Sequence, residues 1–155
     1  MSARVSVQEV DFDIASELAR LEALGGGGVA SFTGVVRGGG GLEALRLETY
    51  PGMTQAALET IAEEAQRRWP LTGLTLIHRH GTLPVGARIV LVGTASRHRA
   101  AALEACAFLI DWTKTRAPFW KQELFADGVT RWVEARPEDD VAAAAWDSSA
   151  EHGRP

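Results

Sequence analysis

Two lysines, Lys114 and Lys121, stand seven residues apart in the stretch DWTKTRAPFWKQE, and the chain has no other lysine. Of its 16 basic residues the remaining 14 are arginine. On a solvated surface the two residue types exchange readily. They do not exchange where chemistry needs a compact ammonium whose pKa can fall, or an amine that attacks or gives up a proton. A sequence biased toward arginine keeps lysine where arginine fails. Chance survival is the plain alternative, and the close spacing weighs against it. The apolar bulk of APFW beside both amines would desolvate them and lower their pKa, which suits proton transfer or amine chemistry. The same pattern also fits two lysines laid over an aromatic patch with their heads in water.

Other basic residues gather at the two ends of a helical pattern over residues 99–117. Arg97, His98 and Arg99 stand at its start, and Lys114 and Arg116 at its end. At about 1.5 Å per residue, a helix of this length keeps the two groups apart within one subunit. They meet only if strands or a second subunit fold over. His98 and Arg99 would lie where free backbone N–H groups favour an anion, although a solvated helix end explains them equally well. Arg37 closes FTGVVR and opens into GGGG (38–41), where glycine backbone can approach an anion. That run fits no P-loop and no dinucleotide motif, and a flexible hairpin tip accounts for it too. His78 and His80 share a strand face without a third ligand, so no metal site is expected.

The elements that must carry these residues follow from periodicity. Residues 4–10, 29–37, 42–50, 74–80 and 87–96 read as strands, the last apolar on both faces and so central. The two runs flanking GGGG suggest a hairpin. Residues 13–24 read as a helix capped by Asp13, with Ile14, Leu18 and Leu21 on one stripe. A second helix starts after PGMT with Thr54 as cap, lines Leu58, Ile61, Ala62, Ala65 and Trp69 on one face, and ends at Pro70. In the third, Leu103, Cys106, Ala107, Ile110 and Lys114 fall near one stripe that reads as core-facing. WKQELF, ADG and VTRWVEAR read as strand, turn and strand, and PEDDVAAAAW as a short helix. This order, rich in hairpins and without a regular βαβ series, favours an α+β fold.

The totals set the frame. The 155 residues fit one domain over 1–146, with 147–155 expected to be a disordered tail. A net charge of −4 argues against a general nucleic-acid binder, so any anionic ligand is held by a local basic cluster. The one cysteine, Cys106, excludes an internal disulfide and a cysteine metal site. No stretch is apolar enough to span a bilayer, and MSARVSVQEVDFD lacks a signal-like apolar region, so the cytoplasm is expected.

At this point the chain resembles a family. FTGVVR, LETYPGM, HRHGTLPVGARIVLVGTASRHRAAALEACAFLIDWTKTRAPFWKQE and RWVEAR together are similar to the catalytic (large) subunit of molybdopterin synthase. The likeness runs from the first strand to Arg136, and DWTKTRAPFWKQE is its most specific block. The resemblance implies an α/β hammerhead-like core with an additional antiparallel β subdomain. It implies a sulfurtransferase acting in molybdenum cofactor biosynthesis. Sulfur passes from the C-terminal Gly-Gly thiocarboxylate of a small ubiquitin-like subunit to cyclic pyranopterin monophosphate (precursor Z), forming the molybdopterin dithiolene. It implies a homodimer within a heterotetramer, no cofactor of its own, and no nucleic-acid or membrane partner.

Motif by motif, the family's two active-site lysines match Lys114 and Lys121. Its phosphate-binding positions match Arg37, His98, Arg99 and Arg136, the last expected to reach the neighbouring subunit's pocket. The loop after the Val-Arg block departs from the family, being GGGG where relatives carry a longer polar segment with asparagine; this chain has no asparagine. Two other readings remain open on sequence grounds: a non-catalytic docking module for a ubiquitin-like sulfur carrier, and a phosphate-ester hydrolase, which lacks a nucleophile or metal set. Cys106 is not expected to carry sulfur, because a buried thiol holds little thiolate.

Overall fold

A computed structural model describes residues 2–134 and 136–152. Twelve elements follow one another: β1 (Ser2–Gln8), α1 (Ile14–Glu22), β2 (Gly28–Val35), β3 (Leu42–Thr49), α2 (Met53–Arg68), β4 (Leu71–Arg79), β5 (Gly81–Pro84), β6 (Arg88–Ser96), α3 (Arg99–Arg116), β7 (Phe119–Phe125), β8 (Thr130–Trp132) and α4 (Pro137–His152). They build two four-stranded sheets. The first has the order β1-β4-β6-β2 and the second β5-β3-β7-β8. Among the described residues, only the β1–β4 pair is parallel. The mixed order and separate sheets are those of an α+β fold with an added antiparallel sheet.

The first sheet is covered on both faces, which is why β4 and β6 read as continuous apolar runs. Leu74, Leu76, Val90 and Val92 join Leu58, Ile61, Ala65, Ala105, Phe108 and Leu109 in the main core beneath α2 and α3. On the other face α1 lies close because Gly93 has no side chain; a Cβ there would stand 2.6 Å from a Leu21 methyl. Asp13 caps α1 as expected, its carboxylate accepting from Ser16 N at 3.1 Å. A small separate cluster, Val36, Leu47 and Leu83, lies under the second sheet.

Several expectations are corrected. The strands around GGGG do not form a hairpin, since β2 pairs with β6 and β3 with β5 and β7. Positive φ at Gly39, Gly40 and Gly41 lets the chain leave one sheet and enter the other. Thr54 does not cap α2. Gly52 holds that position, and the Thr54 hydroxyl is used elsewhere. The buried face of α3 is rotated from the expected stripe. It carries Ala101, Ala102, Ala105, Phe108, Leu109 and Trp112 beside Cys106, which is buried as expected, while Leu103 is 58% exposed. Because α3 is wedged between the first sheet, α2 and α4, its apolar face is wide, and more than one stripe can be drawn through it. The short strand β5 carried too little pattern to foresee.

The last helix is longer than its sequence signal. α4 continues through position 147, where a tail was expected to begin, because its end is anchored. Trp146 Nε1 donates to Asp111 Oδ2 at 2.7 Å, and Asp147 pairs with Arg116 at 3.0 Å. Residues 153–155 of that expected tail lie outside the described residues. Among the described residues, no helix is long and apolar enough to cross a membrane.

Candidate active site

The helix pattern of α3 stops at Pro118, which cannot continue it. Lys114 sits in the last turn of α3, and Lys121 three residues into β7. The turn through Ala117 and Pro118 swings β7 into the second sheet, where Lys121 faces Leu47 of β3. Strand alternation then sorts the side chains. Phe119 and Lys121 are half-buried, whereas Trp120 between them is exposed.

Lys121 is the perturbed amine. Burial lowers its pKa below the ordinary lysine value, and the charge of Lys114 lowers it further. Asp139 opposes this, Arg136 adds to the lowering, and Glu123 opposes it again. Lys114, Arg136 and Asp139 therefore each stand within electrostatic reach of Lys121, at the junction of α3, β7 and the start of α4. Arg136 is exposed and makes a long ion pair to Glu138 at 3.8 Å. In this chain it stands beside the lysine of its own subunit.

Behind the lysines lies His78, on β4 of the first sheet. Its ring stacks on Phe119 at a centroid distance of 3.9 Å and is 9% exposed. Nδ1 lies 2.8 Å from the Arg79 carbonyl oxygen. A carbonyl only accepts, so Nδ1 carries the proton. Burial pushes the pKa down to about 4; the Arg79 carbonyl resists, and the charges of Lys121 and His80 add to the lowering. The imidazole is therefore neutral at physiological pH. Sequence reasoning weighed His78 only as a metal ligand. The missed signal was its place in the apolar run LTLIHR. Among the described residues no cluster of three or more His, Cys, Asp or Glu is arranged for a metal ion.

The other expected residues divide by the ends of the first sheet. The register pairs Val35 with Arg88 and His78 with Val90, so β2 leaves the sheet at the His78 end and delivers Arg37 there. Arg37 is exposed, just beyond Val36, whose N–H donates to Ala87 O at 2.9 Å. His98 and Arg99 stand at the opposite end, past Ser96, which pairs with Gly28 and Leu71. His98 occupies the N-cap of α3, and its side chain makes no cap bond. The first turn holds no acidic residue, and Arg97, His98 and Arg99 are all exposed. The run of α3 from Arg99 to Lys114 places about 22 Å between this end and the lysine at the other. One chain thus brings together Lys114, Lys121 and Arg136, places Arg37 at the same end, and keeps His98 and Arg99 away.

Cys106 is free and 7% exposed, and burial raises its thiol to about 11. It faces the main core, away from both basic groups.

Comparison with known proteins accords with this geometry. The family model described as MoaE protein matches residues 7–116. The molybdopterin synthase catalytic subunit of Mesorhizobium japonicum is 51% identical over 155 residues, covering 97% of this chain and 98% of that protein. The solved structure of molybdopterin cofactor biosynthesis protein E from Burkholderia multivorans aligns with a TM-score of 0.81 at 46% identity, covering 95% of this chain and 98% of that one. The structure of molybdopterin synthase from Staphylococcus aureus aligns with a TM-score of 0.76 at 28% identity, covering 84% and 96%. With its fold shared along most of its length and about half its residues identical to those of a curated relative, this chain belongs to the MoaE family, the catalytic subunits of molybdopterin synthase.

Proposed function

We propose that this chain is the catalytic subunit of molybdopterin synthase. It transfers sulfur from the thiocarboxylated C-terminus of a small ubiquitin-like subunit to cyclic pyranopterin monophosphate, building the molybdopterin dithiolene. In each transfer the thiocarboxylate sulfur forms a C–S bond to a side-chain carbon of the pterin as the C–O bond at that carbon breaks, the departing oxygen taking up a proton. The bond from that sulfur to the acyl carbon then breaks as water adds, and the carrier leaves as a carboxylate. The observation that carries this reading is the convergence of the chain's two lysines at one junction, one of them with a lowered pKa.

The roles divide by environment. Lys121, desolvated and beside a second cation, gives up a proton readily and is assigned the proton transfers. Lys114, exposed at the helix end, is assigned to polarise the acyl–sulfur centre. Arg37 and Arg136 meet the substrate phosphate at the lysine end. His98 and Arg99 serve the same phosphate from the neighbouring subunit, since α3 holds them far from the lysines of their own chain. The functional assembly in this reading is a homodimer of the chain with one small subunit at each end. Residues 1–146 act as one domain, because the two sheets and α4 each contribute to a single site. A cytoplasmic location completes the reading, in keeping with a single free, buried cysteine.

The test is reconstitution. The chain is mixed with a thiocarboxylated small subunit and precursor Z, and the dithiolene product is measured. Product above the rate without the chain is expected. Tight binding of the small subunit with no product would instead favour a docking module.

A further inference from the structure

The two lysines belong to different bodies of the fold. Lys114 is fixed to the first sheet through α3, and Lys121 rides on β7 of the second sheet. Six residues of chain join them, and the helix breaks between them at Pro118. What sets their separation is therefore whatever holds the start of β7 in place.

Two contacts do so. The Thr54 hydroxyl, 1% exposed, donates to the Pro118 carbonyl at 2.7 Å and accepts from Tyr50 N at 3.0 Å. It thus ties the first turn of α2, the end of the β3 connection and the entry to β7 into one knot. One residue on, the His78 ring stacks on Phe119 and joins β4 of the first sheet to β7 of the second. Its Nδ1–H is committed to the Arg79 carbonyl, which fixes the ring plane against which Phe119 lies. Phe119 and Lys121 share a strand face, so a shift of one moves the other.

We propose that Thr54 and His78 are positioning residues for the lysine pair, pinning Pro118 and Phe119 so that β7 holds Lys121 half-buried and within electrostatic reach of Lys114. The proposal rests on the sulfurtransferase reading only in its effect on turnover; the placement of Lys121 stands apart from it. Removing a pin lets the start of β7 drift outward. Lys121 then gains water and distance from Lys114, and its pKa rises toward that of an ordinary lysine. The groups facing Lys121 while it titrates are Lys114 on α3, Arg136 and Asp139 at the head of α4, Glu123 on β7 and His78 on β4.

Because the chain has only two lysines, ¹³C-lysine labelling yields two side-chain Cε resonances, which Lys114→Arg assigns. The Lys121 resonance is followed against pH in folded protein, with no substrate or partner present. Thr54→Val, which keeps the shape and removes the hydroxyl, should raise the Lys121 midpoint. Thr54→Ser should restore it. His78→Ala should raise it, and His78→Phe, which keeps a stacking ring, should raise it less. In the reconstituted assay, Thr54→Val should lower kcat about tenfold with KM nearly unchanged, a size expected of misplaced catalytic groups. A Lys121 midpoint that stays put in folded Thr54→Val and His78→Ala would overturn the proposal. A midpoint that moves as described, in protein that forms no dithiolene even as wild type, would uphold the pins and sink the sulfurtransferase reading instead.

Discussion

The two ends of α3 carry the same sign of charge and are built in opposite ways. At its C-terminal end, Lys121 feels the charges of Lys114, Arg136 and Asp139, with a neutral stacked histidine behind it. At its N-terminal end, Arg97, His98 and Arg99 are exposed, and no side-chain bond caps the helix. Burial at one end tunes an amine for proton transfer. Exposure at the other leaves cations and helix N–H groups available to an anion. A cation that is desolvated and crowded, as Lys121 is, suits proton transfer; cations left open suit anion binding. In the proposed reading the lysine end is the reacting half of a site and the far end a phosphate-holding half donated to a neighbour.

Changes at the lysine end should have the largest effects. Lys114→Ala should fold normally and lose sulfur transfer by at least ~100-fold, the scale of a lost polarising or proton-handling group. Lys114→Arg should fail as well, since arginine keeps the charge but not the compact head or the transferable proton. Dithiolene formation measures both, and near wild-type turnover in the arginine variant would erase the distinction between the two ends. At the far end, Arg99→Ala should cost less, about tenfold, and chiefly in KM, because it weakens a charge-assisted phosphate contact rather than a reacting group.

Stability should sort the two ends in the opposite sense. His78 has its folded pKa lowered from 6.5 to about 4, so between those values the unfolded chain binds the extra proton. Stability should fall as pH drops from 6.5 toward 4 and level off below. His78→Phe should flatten that slope, as read from urea midpoints against pH. Lys121 has a lowered folded pKa for the same reason, so its burial as an ammonium opposes folding at neutral pH. Lys121→Met should therefore lose activity and gain about 1 kcal/mol of stability, a trade expected of a functional site. Arg99→Ala should leave the melting temperature unchanged. The smallest effect on activity is expected from Cys106→Ala, which sits at neither end. It should keep sulfur transfer within a few-fold and cost about 1 kcal/mol, and a persulfide on Cys106 during turnover would count against that.

Local rules made much of this legible. Lysine retention singled out both amines, Asp13 and Pro70 marked helix ends, and the all-apolar run of β6 placed it centrally. What stayed hidden needed tertiary knowledge. The two strands beside GGGG each alternate correctly, but periodicity does not say which sheet a strand joins. Thr54 has the residue type of a helix cap, and only the fold shows its hydroxyl reaching Pro118, 64 residues on. His78 reads as one half of a histidine pair until Phe119, from the other sheet, is laid on it. Leu103 was assigned to the core by spacing alone, and the packing of α3 on three sides turned it outward. In each case the missing information was a partner distant in sequence.

The central claim is that the lysine end of one chain and the His98–Arg99 end of another form one site, and subunit mixing tests it most directly. Lys114→Ala protein and the double variant His98→Ala/Arg99→Ala should each be nearly inactive alone at precursor concentrations below the wild-type KM. After exchange in equal amounts, about half the dimers are mixed, and one of the two sites in each carries an intact lysine end and an intact anion end, roughly a quarter of all sites. Sulfur transfer should recover to about that fraction of wild type. Recovery absent from a sample with proven subunit exchange would contradict the claim and leave each end of α3 to a separate task.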